Sequence, residues 1–84
     1  MKHATSAALG SISELLDQIK PKDGLVEKKP GIFYRKSKSF LHFHEDPAGL
    51  FADLNAGADF KRYPANSRHE WKVLLAAIDQ TIKP

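Results

Sequence analysis

The chain predicts a small α+β domain: an N-terminal helix, an antiparallel meander of three to five strands, and a C-terminal helix. Three observations carry that class. Leu9, Ile12, Leu15, Leu16 and Ile19 recur at helical spacing near one end. Trp71, Leu74, Leu75, Ile78 and Ile82 do so near the other. Between them, Phe40-Leu41-His42-Phe43-His44 and Leu50-Phe51-Ala52-Asp53-Leu54 alternate with the period of two that a half-buried strand requires. A chain of 84 residues makes one domain, spanning 1–84, with residues 1–8 expected as a flexible tail.

The elements follow in order. Ser11-Ile12-Ser13-Glu14 has the form of a capping box, although Leu9 lies before it and admits a start near Thr5 or Ser6. Pro21 closes the first helix and Asp23-Gly24 turns the chain. Leu25-Val26-Glu27 is a short strand, and Pro30-Gly31 fits the centre of a type II turn. Ile32-Phe33-Tyr34-Arg35 is β-favouring, and polar Lys36-Ser37-Lys38-Ser39 joins it to the 40–44 strand. Asp46-Pro47-Ala48-Gly49 makes the next turn before strand 50–54. Residues 55–59 read as loop, and Phe60-Lys61-Arg62-Tyr63 as a last short strand that Pro64 confines to an edge or terminates. Ser67-Arg68-His69-Glu70 is a second capping box, opening the C-terminal helix.

Pleat parity then assigns faces. Leu41 and Phe43 are odd-numbered, whereas Leu50, Ala52 and Leu54 are even. Paired residues of a hairpin share a face, so the turn must hold an even number of residues. A four-residue turn, 46–49, pairs Phe43 with Ala52 and Leu41 with Leu54. The other face then sets His42 beside Asp53 and His44 beside Phe51. Applied to the preceding hairpin with a four-residue loop 36–39, the same logic adds Phe33 beside His42 and Arg35 beside Phe40. The expected second face is Phe33, Arg35, Phe40, His42, His44, Phe51 and Asp53. Its mixture of rings and polar groups suits a ligand groove; a helix covering it, with the histidines at the rim, is the structural alternative.

The chemistry centres on that face. Two imidazoles about 6.6–6.8 Å apart along a strand can close on one metal ion, with Asp46, Asp53, His69 or Glu70 as further donors. No third histidine stands in the stretch, and Asp46-Pro47 serves a turn, so we assign no metal and leave any cofactor unknown. Without metal, Asp53 is the expected orienting partner of His42 and favours its charged form. Candidate ligand-binding residues are therefore His42, His44, Asp53, Arg35, Phe33 and Phe51. The expected function is binding of a small molecule or a protein partner through this face. The alternative is an enzyme using the same residues for metal-assisted hydrolysis or cofactorless oxidation.

Composition narrows the class. The absence of cysteine excludes a disulfide framework and thiolate metal sites, and points to the cytoplasm. No apolar run reaches membrane-spanning length. The net charge of +3 is unevenly spread: residues 20–38 and 60–84 are basic, while 39–59 carry four acids and no Lys or Arg. That reversal argues against a nucleic-acid partner, which calls for a continuous basic surface. A monomer or a homodimer fits the size.

Phe40-Leu41-His42-Phe43-His44, Leu50-Phe51-Ala52-Asp53-Leu54, Arg62-Tyr63-Pro64-Ala65-Asn66-Ser67 and Trp71 together resemble a small bacterial domain family labelled luciferase-like. The likeness covers roughly residues 24–82. It implies no particular activity, and singles out His42, His44 and Asp53 as positions of interest.

Overall fold

The structure is a computed structural model that describes residues 2–57 and 59–83. It is an α+β fold, as the periodicities require. In order come β1 (Lys2–His3), α1 (Ser6–Ser11), α2 (Ser13–Ile19), β2 (Leu25–Lys29), β3 (Ile32–Arg35), β4 (Lys38–Asp46), β5 (Gly49–Asn55), β6 (Phe60–Pro64) and α3 (Arg68–Ile82). Strands β2 to β6 form the antiparallel meander in sequence order, and β1 pairs with β4 in addition. The stretch read as an N-terminal tail thus carries β1 and the first turn of α1. No helix among the described residues is long and apolar enough to cross a membrane.

The N-terminal helix is two short helices joined at Ile12. Thr5 is the cap of the first, accepting from the Ala8 amide at 3.2 Å. Ser11 does not cap the second: its hydroxyl donates back to the Ala8 carbonyl, and Ile12 takes the cap position with no side-chain bond. The break lets Leu9 and Ile12 as well as Leu15, Leu16 and Ile19 reach one core. Ser67, by contrast, caps α3 as its sequence predicts, accepting from the Glu70 amide at 3.2 Å.

All helices bury their apolar stripes against one side of the sheet. That core joins Leu9, Ile12, Leu15, Leu16, Ile19, Leu74 and Ile78 to Phe33, Phe40, Leu41, Phe43, Leu50, Ala52 and Leu54. The opposite side of β4 and β5 carries half-buried His42, His44, Phe51 and Asp53. The β4–β5 register is the one parity demanded: Leu41 with Leu54, His42 with Asp53, Phe43 with Ala52, His44 with Phe51.

The β3–β4 hairpin departs from expectation by one residue. Arg35 pairs with Lys38, so the turn is only Lys36-Ser37, both left-handed at φ 53° and 66°. This is the two-residue geometry whose twist matches the strands, although Asn-Gly is its usual sequence. A bulge follows: Phe33 faces Leu41 while Tyr34 faces Ser39, leaving Phe40 as the extra residue. Phe40 and Leu41 are consequently both buried. A one-residue shift moves every β3 side chain to the other face. Phe33 enters the core at 0% exposure, and Arg35 turns toward α3, whose Ile82 carbonyl accepts from Nη2 at 3.4 Å.

A joint built on Asn66 fixes α3 to the sheet. Its side-chain oxygen accepts from the Leu50 amide at 2.8 Å, and its Nδ2 donates to the Leu50 carbonyl at 3.1 Å. The amide thereby imitates a strand partner. Its own backbone N–H donates to Glu70 in the first turn of α3, and the Trp71 indole donates to the Ala65 carbonyl. Gly49 makes room for this: at φ +129°, a Cβ there would stand 2.6 Å from the Asn66 oxygen. Asn66→Ala strips two bonds from half-buried backbone and is expected to cost about 1–3 kcal/mol in urea unfolding. Ser37→Gly relieves a left-handed side chain and is expected to stabilise by about 0.5–1 kcal/mol in the same assay.

Candidate functional site

The outer side of the sheet gathers three imidazoles. His42 and His44 share it because they are two apart on β4. His3 joins them because β1 pairs antiparallel with the far end of β4, opposite His44. Two backbone bonds flank Phe43 and hold this arrangement: its N–H donates to the Gly31 carbonyl at 3.0 Å and its carbonyl accepts from Ala4 at 3.2 Å. The rings of His3 and His44 stack with centroids 5.7 Å apart and planes at 20°. His42 meets His44 edge-on at 5.7 Å, and Phe60 of β6 covers its other side at 5.3 Å.

Asp53 supplies the carboxylate of the cluster, and Arg62 holds it. Arg62 lies directly across from Asp53 on β6 and donates Nε to one oxygen at 2.9 Å and Nη2 to the other at 3.2 Å. Asp53 also lies 3.2 Å from Nε2 of His44. The expected His42–Asp53 side-chain pair is therefore not made, although the two residues are register partners. The carboxylate leans to the diagonal histidine, which a twisted sheet brings within reach. His42 bonds Ser39 through Nε2 instead, three residues back across the bulge.

These contacts set the charges. The Arg62 guanidinium bonded to Asp53 holds its carboxyl below the ordinary 3.8, outweighing partial burial; the coulombic fields of Arg62 and of the nearby His44 and His42 add to the lowering. Burial pushes His42 below its ordinary 6.5, helped by the neighbouring His44 and His3, while Asp53 opposes the shift. At neutral pH His42 is thus an uncharged imidazole, opposite to the state the sequence favours. Nδ1 of His44 is buried and has no hydrogen-bond partner.

Of the nominated residues, the structure brings together His42, His44, Asp53 and Phe51. It takes Phe33 and Arg35 to the helix side, for the register reason given above. His3, Phe60 and Arg62 are cluster members that the sequence reading missed. Arg62 was within its grasp: extending parity from β5 across the 56–59 loop pairs it with Asp53. His3 had no such signal, because two residues do not make a recognisable strand.

Two of the other nominated metal donors, Asp46 and Glu70, are engaged elsewhere. Asp46 accepts from the Ala48 amide at 2.8 Å, and Glu70 from that of Asn66 at 2.7 Å. Among the described residues, no group of three His, Asp or Glu side chains is arranged to hold a metal ion. The clefts at the β3–β4 turn, at the β2–β3 corner and beside the start of α3 are lined by residues other than the three histidines.

Compared with protein-family models, curated proteins and solved structures, the chain matches none.

The shift at His42 has a direct consequence for stability. A histidine with a lowered folded value binds its proton more readily in the unfolded chain. Its contribution is fully present above 6.5 and is lost as pH falls through the lower folded value. Asp53 adds a second loss further down, below its ordinary 3.8. His42→Gln keeps a hydrogen-bonding partner for Ser39 and removes the first titration. Urea midpoints followed from about pH 7.5 to about pH 5 are expected to fall for the wild type and to flatten in this variant.

Proposed function

We propose that the chain is a binding domain whose recognition surface is the outer side of its sheet, centred on His42 and His44. The supporting observation is the cluster itself: three imidazoles and Phe60 on a sheet face that the helices leave open. Two of the large apolar side chains that remain exposed, Val26 at 56% and Phe60 at 46%, belong to strands at its margins. Small ligands favour concave sites that enclose most of their surface, whereas protein partners accept broad faces with a few ring anchors.

The occupant we infer is a protein partner that sets rings and apolar groups of its own against these. Arg62 is committed to Asp53 with Asp46 nearby, so the charges beside the rings largely cancel and the rings carry the contact. The cysteine-free composition supports a cytoplasmic setting for that encounter. An enzymatic alternative would use His44 as a base oriented by Asp53. The free nitrogen of that ring is buried, which withholds it from a substrate and favours binding over catalysis.

The test is a pull-down followed by reconstitution with the purified partner. Phe60→Glu is expected to weaken the reconstituted complex at least tenfold, and His42→Ala to weaken it less. A complex indifferent to both substitutions removes this face from the function. Sedimentation of the protein alone is expected to give a monomer; a dimer lost in Phe60→Glu would make a second copy the occupant.

A further inference from the structure

A second site opens at the other end of β3, away from the three histidines. It is an open cleft of about 350 Å³, lined by Arg35, Lys36, Lys38 and Ser39 of the β3–β4 hairpin, Asn55 at the end of β5, Gly57 beyond it and Thr81 of α3, with Phe40 among its apolar walls. Its volume falls within the range of small-molecule pockets, about 300–1,000 Å³. Three cations line it and no carboxylate does. Among the described residues Lys36 and Lys38 enter no ion pair, so their charge is uncommitted.

The way these cations are held distinguishes the cleft from a chance gathering of surface lysines. The two-residue turn forces Lys36 into a left-handed conformation, and the pairing of Arg35 with Lys38 sets both beside it. Arg35 is half-buried and spends one N–H on the Ile82 carbonyl, leaving the rest of its fork for a ligand. That bond also covers a carbonyl at the end of α3, which would otherwise repel an anion. Asn55 closes the opposite wall: its Nδ2 donates to the Ser39 carbonyl and its oxygen accepts from the Gly57 amide, fixing the 55–57 loop.

We propose that this cleft binds a phosphate monoester of a small apolar or aromatic molecule. A guanidinium fork with two ammonium groups matches a compact dianion better than a monocarboxylate. Phe40 and Ala56 offer apolar wall to the organic part. The site touches the histidine face at Ser39, whose hydroxyl bonds His42, and does not rest on the reading of that face.

The experiment is an NMR and calorimetric titration with phenyl phosphate, with inorganic phosphate and phenol as the two halves. Saturable binding is expected, with amide shifts concentrated at Ser39, Asn55, Gly57 and Thr81. Phenyl phosphate should bind at least tenfold tighter than either half. Lys36→Asn with Lys38→Gln removes two charges while suiting the left-handed position, and should weaken binding at least tenfold. Arg35→Lys, which keeps the charge and loses the fork, should weaken it severalfold and serves if the double variant misfolds. His3→Ala, on the histidine face and without contact to the lining residues, should leave binding unchanged. Linear, unsaturating shifts spread over the remaining lysines would overturn the proposal, as would binding that ignores the hairpin variants or follows His3.

Discussion

The pairing of β4 with β5 is the constraint on which the rest of this molecule depends. Six residue pairs run without interruption from Leu41–Leu54 to Asp46–Gly49. Because side chains alternate, that one register decides two things at once. It delivers Leu41, Phe43, Ala52 and Leu54 to the helices, and it delivers His42, His44, Phe51 and Asp53 to the opposite side. A slip by one residue would bury a carboxylate and two imidazoles while exposing the core. The core thus enforces the site, with no separate device needed to hold its central residues together.

What the register does not decide is how the polar side chains share their bonds. Asp53 has register partners on both sides, His42 on β4 and Arg62 on β6. The guanidinium wins both oxygens because a bidentate, charge-assisted contact outweighs a single one to an imidazole that burial keeps neutral. Asp53 is thereby a neutralised anchor, and the cluster's accessible character comes from its rings.

The parts of the fold legible in the sequence were those where pattern and turn chemistry agree. Strands β4 and β5 alternate strictly and are joined by Asp-Pro-Ala-Gly, so their faces and partners could be derived residue by residue. The β3–β4 hairpin gave no such agreement. Lys36-Ser37 carries none of the Asn or Gly that marks a two-residue turn, and a bulge at Phe40 has no signature in composition. Phe33 and Arg35 were misplaced together for that reason. Ser11 misled in a different way, since its hydroxyl satisfies a carbonyl behind it rather than an amide ahead. The histidine pair, its carboxylate and Phe51 were thus visible in advance, while the third imidazole and the guanidinium came only with the strands that carry them.

Strand β1 ties the far end of β4 to the start of the helical layer. Every other pairing in the sheet joins consecutive strands through a short turn, whereas His3 meets His44 across most of the N-terminal half of the chain. With α1 packed on the core, only Ala4 and Thr5 separate β1 from a fixed point, so its docking closes a tether of two residues once the helices are in place. Two residue pairs, the Ala4–Phe43 backbone bond and the Thr5–Glu45 bond then hold it in the sheet. The third imidazole of the histidine face thus depends on the shortest strand of the sheet, and on the packing of α1 that brings it there.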